Sequence, residues 1–246
     1  MLYIYFQIGS AEMKSFYRAI LGAMVLGGIL TSCSDNSEVG TIGRAQVAVF
    51  NLVPQQDSFN FYLDTNKITS VLSFGEVHPY DTLAAGRRTA KVHSVVKDSV
   101  TLSKDLYLNP YRDYSFFIVP ADSTNTGLAY VATVDYLSEP NIKTNAKVRF
   151  IHLSPEEHGV DLYTRLGDAE EKKTFSNAFY QSASPFQEIK AGTYSLKLTP
   201  ANVTDQVILT TENVSLEAKK VYTIFISGLK DSSSDYSQRI TIVNNR

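Results

Sequence analysis

The sequence predicts an all-β protein made of two tandem β-sandwich domains of about seven strands each, and three observations carry that expectation. Apolar and polar residues alternate at period two, the spacing of strands, and not at the spacing of an amphipathic helix. Turn signals recur about every 8–12 residues, as in a sandwich. Most of the chain after residue 44 is written twice.

The repeat sets the architecture. Residues 45–62 align without a gap on 146–163, with identities Ala45/Ala146, Val47/Val148, Leu52/Leu153, Pro54/Pro155 and Tyr62/Tyr163, an offset of 101. A second block at offset 106 pairs Pro79/Pro185, Leu83/Ile189, Ala85/Ala191 and Gly86/Gly192. A third, at offset 108, pairs Leu108/Leu216, Tyr114/Tyr222, Phe116/Ile224 and Ile118/Ile226. The five residues gained between the first two blocks fall in the polar stretch Gly167–Lys173, a longer loop. Units of ~100 residues are domains, unlike the short modules of a solenoid. The predicted domains are 45–139 and 144–246, joined by the polar, Pro-containing segment Ser138–Asn145.

Within the first unit, strands are expected near 45–53, 59–64, 71–77, 88–96, 99–108, 113–120 and 128–135. Phe59, Phe61 and Leu63 alternate with Asn60 and Tyr62, which gives a strand one core face. Tyr114–Val119 and its counterpart Tyr222–Ile226 are apolar on both faces and rich in aromatic or β-branched residues, which places them centrally in a sheet. Ala85-Gly86 and Ala191-Gly192 punctuate the chain where Gly supplies a φ that other residues avoid. Leu108-Asn109-Pro110-Tyr111-Arg112-Asp113-Tyr114 has the spacing of a tyrosine corner, whose hydroxyl bonds back to the chain between two late strands. That favours an immunoglobulin-like sandwich over a barrel. The second unit keeps Leu216 and Tyr222, with Ala218 at the Pro position.

Ahead of the repeats the chain carries an export pattern. Lys14 and Arg18 form a positive region, and Ala19–Leu30 is an apolar run too short for a bilayer, which takes about 20 residues. Leu30-Thr31-Ser32-Cys33 resembles the lipobox of bacterial lipoproteins, and Cys33 is the sole Cys of the 246 residues. The resemblance implies a signal peptide over 1–32 with Met13 as the true start, diacylglycerol on the Cys33 thiol, acylation of the new amine, and a tether over 33–44. Several acyl chains at ~0.8 kcal/mol per buried CH₂ anchor stably. The implied location is the cell envelope, as an outer-membrane lipoprotein of Bacteroidetes type, with leaflet and face left open.

Composition narrows the partners. With 23 Lys+Arg against 25 Asp+Glu the net charge is −2, which speaks against nucleic acid as a partner. A single Cys rules out a disulfide framework and a Cys-rich zinc site.

The second unit resembles the bacterial DUF4397 family. It carries Val148-Arg149-Phe150-Ile151-His152-Leu153-Ser154-Pro155-Glu156, then Val160-Asp161-Leu162-Tyr163, Pro185-Phe186 and Ile189-Lys190-Ala191-Gly192-Thr193-Tyr194. The first unit matches more loosely, with Asn51 at the His position, Val53 at Ser and Arg88 at Tyr, while retaining Phe74-Gly75 and Pro79-Tyr80. The resemblance implies tandem envelope β domains and transfers no catalytic residue.

Few residues suggest chemistry. His152 and Ser154 share a strand face, but no Gly-x-Ser-x-Gly elbow exists, so both are expected to satisfy backbone groups near the Pro155 turn. His152, Glu156, Glu157 and His158 read as a solvated acidic turn and not a metal site. No cofactor is expected and no enzymatic activity. The candidate binding residues are tyrosines that could stack on a sugar or anchor a protein: Tyr62 and Tyr163, on the face opposite Phe61 and Leu162 and expected to be partly exposed, with Tyr80 and Tyr111 at or near turns. Asp81-Thr82-Leu83, Asp98-Ser99-Val100 and Asp122-Ser123-Thr124 resemble O-glycosylation sites of Bacteroidetes envelope proteins. The expected function is therefore a lipid-anchored, non-catalytic binding or structural role at the bacterial surface, toward a protein or glycan partner. Two alternatives are a glycan-binding module beside a nutrient-uptake system and a hydrolase with an unfamiliar site.

Overall fold

Period-two patterning becomes sixteen strands in the computed structural model, which describes residues 43–54, 58–232 and 235–246. The first repeat holds β1 (Arg44–Asn51), β2 (Phe59–Leu63), β3 (Asn66–Lys67), β4 (Val77–Ala84), β5 (Gly86–Ser94), β6 (Ser99–Leu108), β7 (Asp113–Pro120) and β8 (Leu128–Asp135). The second holds β9 (Asn145–Leu153), β10 (Gly159–Leu166), β11 (Lys172–Phe179), β12 (Gln187–Lys190), β13 (Gly192–Pro200), β14 (Leu209–Leu216), β15 (Val221–Ser227) and β16 (Arg239–Asn244). The described residues contain no helix.

The two repeats have the same topology. Sheet orders β4-β1-β7-β8 and β3-β2-β5-β6 in the first become β12-β9-β15-β16 and β11-β10-β13-β14 in the second. In each, the first strand pairs in parallel with the seventh, β1 with β7 and β9 with β15, while the other ladders are antiparallel. Each repeat is thus a sandwich of four strands on four. Phe59, Phe61, Val92, Leu108 and Phe116 fill one interior. Val160, Leu162, Leu196, Leu216 and Ile224 fill the other.

Eight strands, where about seven were expected, come from a different path between β2 and β5. The expected strand at 71–77 is instead a bend. Gly75 takes φ +83, its N–H donates to Asn51 O at 2.8 Å, and the Glu76 carboxylate accepts the Ser73 N–H at 2.6 Å. The strand begins at Val77 and carries Pro79, which fits an edge because Pro cannot donate to a central ladder. A bulge at Val47/Val49 absorbs it.

The tyrosine corner forms in both repeats. Tyr114 Oη accepts the Asn109 N–H at 2.8 Å, and Tyr222 Oη accepts the Glu217 N–H at 3.0 Å. Pro110 is therefore dispensable to the motif. Replacing Tyr222 by Phe removes the partner of a part-buried amide and is expected to cost about 1 kcal/mol in chemical denaturation. A Tyr222→Phe protein as stable as wild type would show that solvent serves Glu217 equally well. The Ala-Gly turns behave as read: Gly86 and Gly192 have φ +102 and +150.

The sandwiches are stacked face to face. Ala48, Phe50, Phe117, Val119 and Val131 from the β4-β1-β7-β8 sheet, with Leu52 just past β1, meet Ile151, Leu153 and Phe225 from the β12-β9-β15-β16 sheet. Phe50 stacks on Phe117 at 4.6 Å between ring centroids, and Phe225 meets both edge-on at 6.1 and 5.8 Å. Each repeat uses the same sheet for this contact, so four sheets with three apolar layers between them make one pile. The double-sided apolar character of β7 and β15 has a second cause here: one face fills its own sandwich, the other fills the junction.

Candidate functional site

Tyr62 and Tyr163 are built identically by the fold. Tyr62 stands opposite Lys67 on β3 and Lys91 on β5. Tyr163 stands opposite Lys173 on β11 and Lys197 on β13. Each outer sheet therefore displays a Lys–Tyr–Lys rung, and because the inner sheets face each other, the rungs lie on opposite outer faces of the pile.

The second rung is closed by the chain's own acids. Tyr163 is only 9% exposed, not a partly open ring as expected, because the ammonium groups of Lys173 and Lys197 lie over it at 5.5 and 4.8 Å. Lys173 pairs with Asp161 at 2.5 Å and Lys197 pairs with Glu171. Asp161 also accepts the N–H groups of Asn177 (2.7 Å) and Asn202 (3.1 Å), both in left-handed conformation. Burial works to raise the Asp161 pKa, but these donors outweigh it and hold the carboxyl below its ordinary value. In the first rung Tyr62 is half-buried, with its ring edge toward His93.

The remaining candidate tyrosines separate. Tyr111, at φ +59 in the β6–β7 turn, is 85% exposed. Tyr80 is not in a turn. It lies on β4, half-buried at the junction, and belongs to a closed polar ring. Its hydroxyl donates to Asp135 at 2.5 Å, and Arg149 pairs with the same carboxylate at 2.6 Å. Arg149 Nε donates to Thr223 Oγ1 (2.9 Å), Thr223 to Asn245 Oδ1 (2.8 Å), and Asn245 Nδ2 back to Tyr80 Oη (3.2 Å). Ser115 and Thr133 complete the shell of Asp135 at 2.6 and 2.8 Å. Burial, then the neighbouring carboxylate, pushes the Tyr80 hydroxyl well above the ordinary tyrosine value. Tyr80 is an element of cohesion between repeats and is not free for a ligand. Beside the ring, Arg149 and Lys147 lie against Phe186 at 4.7 and 5.3 Å in a cleft of about 500 Å³ that Tyr136 also lines.

His152 and Ser154 are fully buried and serve the backbone, as their pattern suggested. His152 Nε2 lies 3.0 Å from Glu157 O and Nδ1 accepts the Ser154 N–H at 3.4 Å, an arrangement that fits the neutral Nε2–H tautomer. Burial pushes the His152 pKa down to about 4. Ser154 Oγ donates to Gly228 O and accepts from Gln238, both at 2.8 Å, so its proton is not directed at His152. The first repeat does part of this with another side chain. Asn51, at the His152 position, accepts the Val53 N–H (3.1 Å) as His152 accepts that of Ser154, and its amide donates to a different carbonyl, Leu72 O (2.8 Å).

Among the described residues no group of three or more His, Cys, Asp or Glu side chains could hold a metal. His78 and His93 are half-buried on separate strands of opposite sheets. Thr82, Ser99 and Ser123 are all exposed. Cys33 lies outside the described residues.

Sequence reasoning missed the ring and the rungs for one reason: both depend on strand register. A cross-strand triad could have been read only by pairing Lys67/Lys173 and Lys91/Lys197 at the offset of 106.

No curated protein matches the chain. A solved structure from Bacteroides fragilis, described as a "putative cell adhesion protein", is 6% identical, covering 82% of this chain and 97% of that one, with a TM-score of 0.19. A likeness that low carries no argument about this chain. The family model that matches is DUF4397, a domain of unknown function, over residues 45–163, which takes in the whole first repeat and the opening of the second as far as Tyr163.

Proposed function

We propose that this chain is a lipid-anchored protein of the bacterial cell envelope that binds or scaffolds at the surface without catalysis. The anchor is Cys33, and the tether ahead of β1 carries the four-sheet pile. One observation bears most of the weight for the non-catalytic part. The side chains best suited to chemistry, His152, Ser154, Asp135 and Arg149, are buried and spent on holding loops and repeats together. The hydrolase alternative needed a Ser154 proton aimed at His152, and Ser154 donates to a carbonyl instead.

The test is Cys33→Ala in a native-type host. The variant is expected to fold normally, to leave the membrane fraction, and to lack the mass of the acyl groups. Continued membrane association with an unmodified N-terminus would refute the anchor. The glycan-binding alternative is favoured by a specific feature, the half-exposed Tyr62 ring between two lysines on an outer face.

A further inference from the structure

The two Lys–Tyr–Lys rungs differ in one respect: only the second is neutralised. There Asp161 and Glu171 bring two carboxylates to Lys173 and Lys197. In the first repeat Asn60 stands where Asp161 does, and the loop bearing Glu171 has no counterpart. Neither Lys67 nor Lys91 makes an ion pair among the described residues. Of the nearby acids, Asp64 pairs with Arg88 and Asp105 accepts the Thr89 hydroxyl, while Asp98 is exposed, 3.6 Å from His93 Nε2. Beside the rung, Asn60 is only 8% exposed, yet its Oδ1 has no hydrogen-bond partner. Nδ1 of His93, directly across from Asn60, has none either. Unpartnered buried polar atoms are costly and uncommon, and here two belong to the residue pair on the same sheet face two positions along from Tyr62 and Lys91.

We propose that this outer face of the first sandwich binds a carboxylate-bearing oligosaccharide. Lys67 and Lys91 take two ligand carboxylates, as Lys173 and Lys197 take Asp161 and Glu171, and the half-exposed Tyr62 ring stacks on the sugar between them. The second repeat thus displays, with its own side chains, the contacts that the first offers to a ligand. The lysines stand two inter-strand steps apart, about 9–10 Å, so the acids come from separate sugar units. A peptide fits less well: β2 and β5 are interior strands and offer no free edge for backbone pairing at Tyr62. This inference rests on the surface-binding role proposed above and gives it a ligand class.

The experiment is calorimetric titration of the full chain in detergent with a panel of uronic-acid oligosaccharides, their neutral methyl esters, and polyglutamate. At least one acidic sugar is expected to bind, with its ester and polyglutamate about tenfold weaker or more. Lys67→Ala, Lys91→Ala and Tyr62→Leu should each weaken binding about tenfold, while Lys173→Ala and Lys197→Ala leave it unchanged. Binding by no panel member overturns the proposal. So does equal binding of the esters or of polyglutamate, or equal loss in the second-repeat variants. Membrane attachment is read separately through Cys33→Ala, so failure of the sugar site and failure of the anchor give different results.

Discussion

Arg149→Ala is expected to cost the protein about 3–5 kcal/mol, more than the loss of the tyrosine-corner bond or the protonation of His152. Arg149 is 2% exposed and bridges the two repeats, so truncation leaves the Asp135 carboxylate buried without its cation. It also removes the support of the Phe186 ring and frees the Thr223 hydroxyl. Urea unfolding at neutral pH measures the loss. The wild type is expected to unfold in one transition, because the ring and the phenylalanine layer couple the sandwiches. The variant is expected to unfold in two, as each sandwich keeps its own interior. The double variant with Asp135→Ala should lose less than the sum of the singles, since the second change removes the orphaned charge. A shift under about 1 kcal/mol with a single transition would mean that the apolar layer alone holds the repeats together.

His152 is expected to make stability pH-dependent by about 3 kcal/mol. Its folded pKa, about 4, lies below the ordinary value of 6.5. As pH falls through 6.5 the unfolded chain takes up a proton that the folded chain refuses, so stability declines until pH reaches about 4, and this contribution is flat below. His152→Asn should abolish that slope; it keeps the bond to the Ser154 N–H that Asn51 makes to Val53 in the first repeat, and loses the one to Glu157 O, so a cost of about 1 kcal/mol is expected near pH 7. Denaturant midpoints at pH 7, 5.5 and 4 for both proteins provide the check. Parallel slopes in the two would remove His152 as the cause. Loss of carboxylates such as Asp161, whose pKa is held low, belongs to still more acid conditions.

Local and repeated features were legible in the sequence. The pairing of residue 45 onward with residue 146 onward predicted twin sandwiches, and the Leu108–Tyr114 spacing predicted a hydroxyl-to-backbone bond that both repeats make. Features set by distant register were not. Asp135, Arg149, Thr223 and Asn245 have no local spacing that marks them as a ring, and Tyr80 read as a surface aromatic because nothing near it signals a partner 165 residues away. Tyr163 read as partly exposed because the lysines that cover it come from two other strands. Even the two-faced strands were only half interpreted. Phe117 and Phe225 opposite Phe116 and Ile224 pointed to central strands, and they also mark a second apolar layer.

The polar ring closes through Asn245, and Arg246 adds a bond to Leu137 O at 3.1 Å. Assembly is therefore ordered in time. A chain emerging from its amino end can complete the first sandwich once residue 135 is out, and that intermediate exposes Phe50 and Phe117 until β15 and the last residues arrive to cover them. The first sandwich alone therefore carries an uncovered aromatic layer, so the second repeat acts as its lid as well as its neighbour.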